Sequence, residues 1–201
     1  MPSIFTDADR EAIRTHLLDE GEQMMLRDGI TKMNLGHLAH SAGIAKGTFY
    51  NFFKTKQHVI LAILRRYQAQ RAEVLAQEAR KKRGSLTIYQ AIDMYLSVYD
   101  PKTNPFFHMR DRDLDWIAEK IPPEELFDPE MDLRCCGMIL SCVKDLRGDI
   151  DLRIVSNFSR MVMFTLMQQS NVHAEVLPTN IQMIIELIAD YVSGKEHSHE
   201  V

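Results

Sequence analysis

The chain has 201 residues, of which 45% are apolar and 26% charged; this is the composition of a globular protein of one or two domains that can bury a core. No apolar run approaches the roughly 18 residues that a membrane helix needs. The start, Met-Pro-Ser-Ile-Phe-Thr-Asp, lacks the charged-then-apolar pattern of a leader, so a cytoplasmic protein without a membrane partner is expected.

The formal net charge of −4 hides a segregation. Residues 1–29 carry 3 basic and 7 acidic groups, residues 30–83 carry 11 and 2, and residues 84–201 carry 10 and 19. A basic middle block between acidic flanks suggests a polyanion-binding face on a protein that is not generally adhesive to nucleic acid.

The apolar spacing is helical nearly throughout, and no stretch has a convincing strand period, so the chain reads as all-α. Thr6 is an N-cap with Asp9 three residues on, and Ile13, Leu17 and Met24 recur on one face until Asp28-Gly29. Asn34 caps a short helix from Leu35 to Ser41, which ends at Ala42-Gly43. A third helix is expected from about Lys46 to Phe53. Thr55 caps a long fourth helix from Lys56 to about Arg80, with Ile60, Ile63, Leu64, Tyr67 and Val74 inward. Ser85 caps a helix to about Tyr99, which Asp100-Pro101 breaks. Further helices read at about 111–120, 130–147, 151–171 and 179–193, separated by Pro122-Pro123, Gly148-Asp149 and Leu177-Pro178.

The two short helices around Ala42-Gly43-Ile44 have the layout of a helix-turn-helix. Phe49, Phe52 and Phe53 lie at i, i+3 and i+4 on one face and read as core. Lys46, Gly47 and Thr48 fall in the first turn of the third helix, where free N–H groups favour phosphate and a glycine lets a backbone approach. A buried hairpin would not present Lys46, Asn51 and Lys54 on its open face.

From Thr6 to about Arg66 the chain resembles the DNA-binding domain of the TetR family of transcriptional regulators. The family pattern stands here as Leu38-Ala39, Ala42-Gly43-Ile44, Lys46-Gly47-Thr48-Phe49-Tyr50-Asn51-Phe52-Phe53 and Thr55-Lys56. Asn34 replaces the usual Thr cap, and Ala45 replaces a Ser that often precedes the Lys. The resemblance implies that Lys46, Thr48 and Asn51 face base edges or nearby backbone, and that Tyr50 and Lys56 hold phosphates; Asn34 and Gly47 complete the candidate DNA-binding set. It implies a helix-turn-helix DNA-binding domain over 6–66 and a ligand-binding and dimerisation domain over 67–201. The helices at about 151–171 and 179–193 resemble the pair that forms a dimeric four-helix bundle. Val155, Phe158, Val162, Thr165 and Met167, with Ile181, Ile184, Ile185 and Ile188, are expected to bury that two-fold interface.

Other features have plainer readings beside the functional ones. Arg80-Lys81-Lys82-Arg83 complements a helix C-terminus. His37 and His40 are one turn apart but lack further ligands, so no metal is expected. Cys135 and Cys142, two turns apart on one expected helix, read as buried small apolar groups or as a thiol sensor, with Cys136 beside them. Asp111, Asp115 and Glu119 form an i, i+4, i+8 stripe that is either a wet face or a seat for a cationic effector. Tyr95, Phe107, Trp116, Met138, Met163, Phe164 and Met167, with Cys142, either line an effector cavity or fill a core.

No Walker, dinucleotide, His-Glu-x-x-His or nucleophile-elbow pattern is present, so neither catalysis nor a cofactor is expected. The reading is a homodimeric regulator, a repressor, that binds double-stranded palindromic operator DNA and is released by a small-molecule effector. The alternative is a DNA-bound protein-interaction module without a small ligand.

Overall fold

The computed structural model describes residues 5–97, 104, 109–126, 128–167 and 172–194. Among them the regular structure is helical, with a single isolated bridge between Leu86 and Val143. The elements are α1 (Asp7–Asp28), α2 (Leu35–Ser41), α3 (Lys46–Phe49), α4 (Lys56–Lys82), α5 (Ile88–Leu96), α6 (Asp111–Lys120), α7 (Pro123–Leu126), α8 (Pro129–Leu140), α9 (Leu152–Met167) and α10 (Leu177–Ser193). No helix among the described residues is long and apolar enough to cross a membrane.

Local chemistry sets the helix ends. Thr6 and Asp9 form the expected capping box: Asp9 N–H donates to Thr6 Oγ1 at 3.1 Å, and Thr6 N–H donates to Asp9 Oδ2 at 2.9 Å. α5 starts later than expected because Thr87, not Ser85, is its cap, paired with Gln90 in the same reciprocal way. α8 ends at Leu140, well short of the expected 147. Past it the chain is drawn aside, with Leu86 N–H donating to the Cys142 carbonyl at 2.9 Å and Gly84 N–H to Ser141 at 3.3 Å. Cys142 therefore lies beyond the helix end and does not continue a helical face with Cys135.

The chain forms two compact units. The first comprises residues 1–68 and 105–127, and the second residues 69–104 and 128–201. In the first, α4 docks on α1 through apolar contact and through Arg66, whose guanidinium meets Asp19 at 2.6 Å and Glu22 at 2.8 Å. Leu17, Leu38, Phe49, Ile60, Ile63 and Leu64 are fully buried there. Gly21 leaves room for Ile63, whose Cδ1 would stand 2.7 Å from a Cβ at that position.

The second unit packs α5, α8, α9 and α10 around Ile92, Tyr95, Cys136, Ile139, Val155, Ile188 and Val192. Val155 and Ile188, expected on a two-fold interface, instead face this core, and Val162, expected there too, is buried as well. The outward apolar residues of α9 and α10 are Ile154, Met161, Phe164, Met183 and Leu187. One residue turns a helix by about 100°, so a face assigned from periodicity alone is easily rotated by one position.

Candidate nucleic-acid interface

The helix-turn-helix is assembled from backbone bonds that its sequence permits. Asn34 Oδ1 accepts from Gly36 N–H at 2.8 Å and from His37 N–H at 3.3 Å, which caps α2. After α2, Gly43 has φ +66° and Ile44 N–H reaches back to the Ala39 carbonyl at 3.1 Å. A Cβ at Gly43 would meet nothing within 4 Å, so the left-handed backbone, not crowding, requires glycine there.

α3 is shorter than the spacing suggests. It covers Lys46–Phe49 and continues as turns in which Asn51 N–H bonds to Thr48 and Phe52 N–H to Phe49, at 3.0 and 2.9 Å. Ala45 supplies no side-chain cap. Phe49 and Phe53 are buried with ring centroids 5.8 Å apart, and Tyr50 meets Phe49 edge-on at 5.6 Å while remaining 43% exposed. Lys46, Gly47 and Asn51 are exposed and Thr48 is half-buried. A Cβ at Gly47 would also meet nothing within 4 Å, so nothing among the described residues excludes a side chain at that position.

Lys56, at the start of α4, is engaged with the first unit. Its Nζ donates to the Thr31 carbonyl at 3.1 Å and lies 5.7 Å from the Trp116 ring centroid. Burial lowers its ammonium below the ordinary lysine range, against the pull of nearby Asp113. The other side of Thr31 is held too: its N–H donates to Asp113 Oδ1 at 2.6 Å, and Asp113 Oδ2 accepts from Arg110 N–H at 3.1 Å. Asp113 is fully buried. Burial pushes its carboxyl upward, but the hydrogen bonds from Thr31 and Arg110 outweigh that and hold it below the usual range. Gly29 makes room for it, with φ +84° and a Cβ position 2.5 Å from Asp113 Oδ2.

Asp113 was not among the acidic residues singled out from the sequence. Asp111, Asp115 and Glu119 line an exposed face of α6, and the inward acid lies between them. Its legible signal was local: it stands three residues after Arg110, at the position where an acid reaches back to a helix start.

The candidate effector-lining residues separate between the units. Tyr95 is buried in the second unit's core, Met138 packs against that core, and Met163 is buried on α9. Cys142 is fully buried, with its Sγ 3.4 Å from the Ala79 carbonyl. Trp116 belongs to the first unit, beneath Lys56. Phe107 and the side chain of Met167 lie outside the described residues. Burial pushes all three thiols up, Cys136 to about 11, which disfavours the reactive thiolate.

Residues 17–63 match the family described as bacterial regulatory proteins, tetR family. The HTH-type transcriptional repressor NemR of Escherichia coli K12 is 33% identical over 93 residues, 46% of this chain and 44% of that protein. The chain thus aligns with less than half the length of that relative. In structure, the reduced form of E. coli NemR superposes with TM-score 0.58 at 19% identity, over 90% of this chain and 97% of that one. FadR of Bacillus subtilis, solved with stearoyl-CoA, gives TM-score 0.56 at 16% identity, over 89% and 98%. The matched segment, residues 17–63, is the one that carries the capped α2, the Gly43 turn and the exposed face of α3, and over that segment the chain is of the TetR family of bacterial regulatory proteins.

Proposed function

We propose that the protein is a homodimeric repressor in the cytoplasm that reads a palindromic operator with one helix-turn-helix per subunit and leaves it when a small molecule binds. The carrying observation is the division of labour in residues 46–53: Phe49 and Phe53 anchor the segment, while Lys46, Gly47 and Asn51 are left to solvent. A gap beside Gly47 that no described residue fills suits a phosphate backbone brought close. In this reading Lys46, Thr48 and Asn51 meet base edges and adjacent backbone, and Tyr50 takes a phosphate. Lys56 uses one of its three N–H donors on Thr31 and has two left for a phosphate. Asn34 acts through its cap of α2.

The outward row of Ile154, Met161 and Phe164 on α9 with Met183 and Leu187 on α10 supports a dimer formed by these helices, because a monomer would leave that row in water. The second unit would take the effector, with Tyr95, Met138 and Met163 as its adaptable lining, and the stearoyl-CoA bound by a protein of this fold supports that use. Regulation requires no chemical step; an effector that favours one arrangement shifts the population.

The test is selection from a random duplex pool with the full chain. The retained sequences should contain two half-sites about 34 to 36 Å apart. Salt titration on the selected duplex should give a log–log slope of about −5 to −9. A pool with no enriched sequence, or a slope near zero, would overturn the reading.

A further inference from the structure

Arg10 and Arg14 on α1 differ from the arginines that pair with carboxylates. Arg27, Arg66, Arg147, Arg153 and Arg160 each pair with a carboxylate. Arg10 and Arg14 have acids one turn away on their own helix, Asp7 and Glu11, at spacings that ordinarily give ion pairs. Neither pairs with a carboxylate among the described residues. Instead both reach across to the end of the recognition segment. The Arg10 guanidinium carbon lies 5.4 Å from the Phe52 ring centroid, and that of Arg14 lies 4.7 Å from Phe53.

A guanidinium laid over a ring presents its face to the aromatic and keeps its in-plane N–H groups for an acceptor. Both arginines border a recess of about 320 Å³ lined by Asp7, Arg10, Glu11, Arg14, Asn51 and Phe52. Asn51 is one of the residues assigned above to the bases. The recess is therefore continuous with the recognition surface. Its two carboxylates balance the two arginines, which makes it a poor trap for a stray anion. A phosphodiester can settle there once the neighbouring contacts of α3 have fixed the duplex, so that the arginines reward a docked duplex over a passing one.

We infer that Arg10 and Arg14 are a second phosphate-binding element, which grips the operator backbone beside the base or backbone position met by Asn51. The inference rests on the proposed DNA-binding function and adds a site to it. Since Arg10 and Arg14 stand against Phe52 and Phe53, α1 becomes part of the DNA-reading surface as well as support for it.

The experiment compares full-length wild type, R10Q, R10Q/R14Q and R10K/R14K on the duplex selected by the wild type, with affinity measured from 50 to 200 mM salt. Two subunits bring four such cations, so R10Q/R14Q should flatten the log–log slope by about 3 to 4 and R10Q by about 2. R10K/R14K should restore at least half of the lost slope, since it keeps charge without the planar stack. At 100 mM salt the double variant should bind at least about tenfold more weakly. R10Q alters an exposed residue, and it keeps the test decisive if the double variant fails to fold. A wild-type slope in R10Q, or a loss of affinity with unchanged slope that R10K/R14K shares, would reduce the arginines to packing and overturn the inference alone. A wild type that selects no duplex would overturn the proposed function and this site with it.

Discussion

Residues 46–53 and 135–142 are of equal length, yet what accounts for their side chains differs. In 135–142 the fold uses nearly all of them. Cys135, Cys136, Ile139, Leu140 and Cys142 are buried, Ser141 donates to the Met138 carbonyl at 2.6 Å, and a Cβ on Gly137 would stand 3.4 Å from Leu152. In 46–53 the fold uses Phe49 and Phe53, while the exposed side chains of Lys46 and Asn51 have no hydrogen bond or ion pair among the described residues. Residues that folding explains are uninformative about partners. Those it leaves unexplained, held on a rigid base, are where a partner belongs.

That contrast can be broken at several points. Phe49→Ala should cost about 3 to 5 kcal/mol of stability in urea unfolding followed by circular dichroism. A cost under about 1 kcal/mol would show that the ring does not anchor the segment. Asp113→Asn should cost about 1.5 to 3 kcal/mol at pH 7, the value of a buried charged hydrogen bond. Because the folded carboxyl is held below its unfolded value of 3.8, its contribution is complete above that value and is lost as pH falls through the lower folded value. The gap between wild type and D113N should thus close as acid is added, and a gap that stays constant below pH 3 would reject the assignment.

Lys46→Ala should leave the melting temperature unchanged and weaken operator binding by about tenfold to thirtyfold in a fluorescence titration. Equal affinity would remove Lys46 from the interface. The smallest effect sharpens the comparison most. Gly47→Ala should stabilise the free protein by up to about 1 kcal/mol, since alanine favours a helix and finds open space, yet it should weaken binding to the duplex. A variant that gains stability without losing affinity would mean that no backbone approaches there.

The helix-turn-helix was readable because its signals are local: a cap, a glycine turn and an apolar triplet lie within twenty residues of one another. Where bonds span the chain, local reading failed. Helical spacing directed attention to Asp111, Asp115 and Glu119, whereas Asp113 is defined by Thr31, 82 residues away. The chain past Leu140 reads as continued helix, but the tertiary bonds from Gly84 and Leu86 end it. On α9 and α10 the apolar content was legible, but Val155, Val162 and Ile188 lie on the face turned inward, which only packing decides. The candidate effector residues were chosen by type alone, and the structure places Trp116 in a different unit from Tyr95, Met138 and Met163.

The clamp on Thr31 also bears on how the protein is made. The first unit is interrupted in sequence, so α1 to α3 leave the ribosome long before the segment that supplies Asp113. At roughly 5 to 20 residues per second, the 82 residues from Thr31 to Asp113 take about 4 to 16 seconds to synthesise. During that interval the nascent helix-turn-helix has its caps and its aromatic anchor but lacks the carboxylate that fixes the turn before α2. A fragment ending at Gln68 would be arrested permanently at that stage, and the chain completes its DNA-reading head only after all of α4 and α5 have been synthesised.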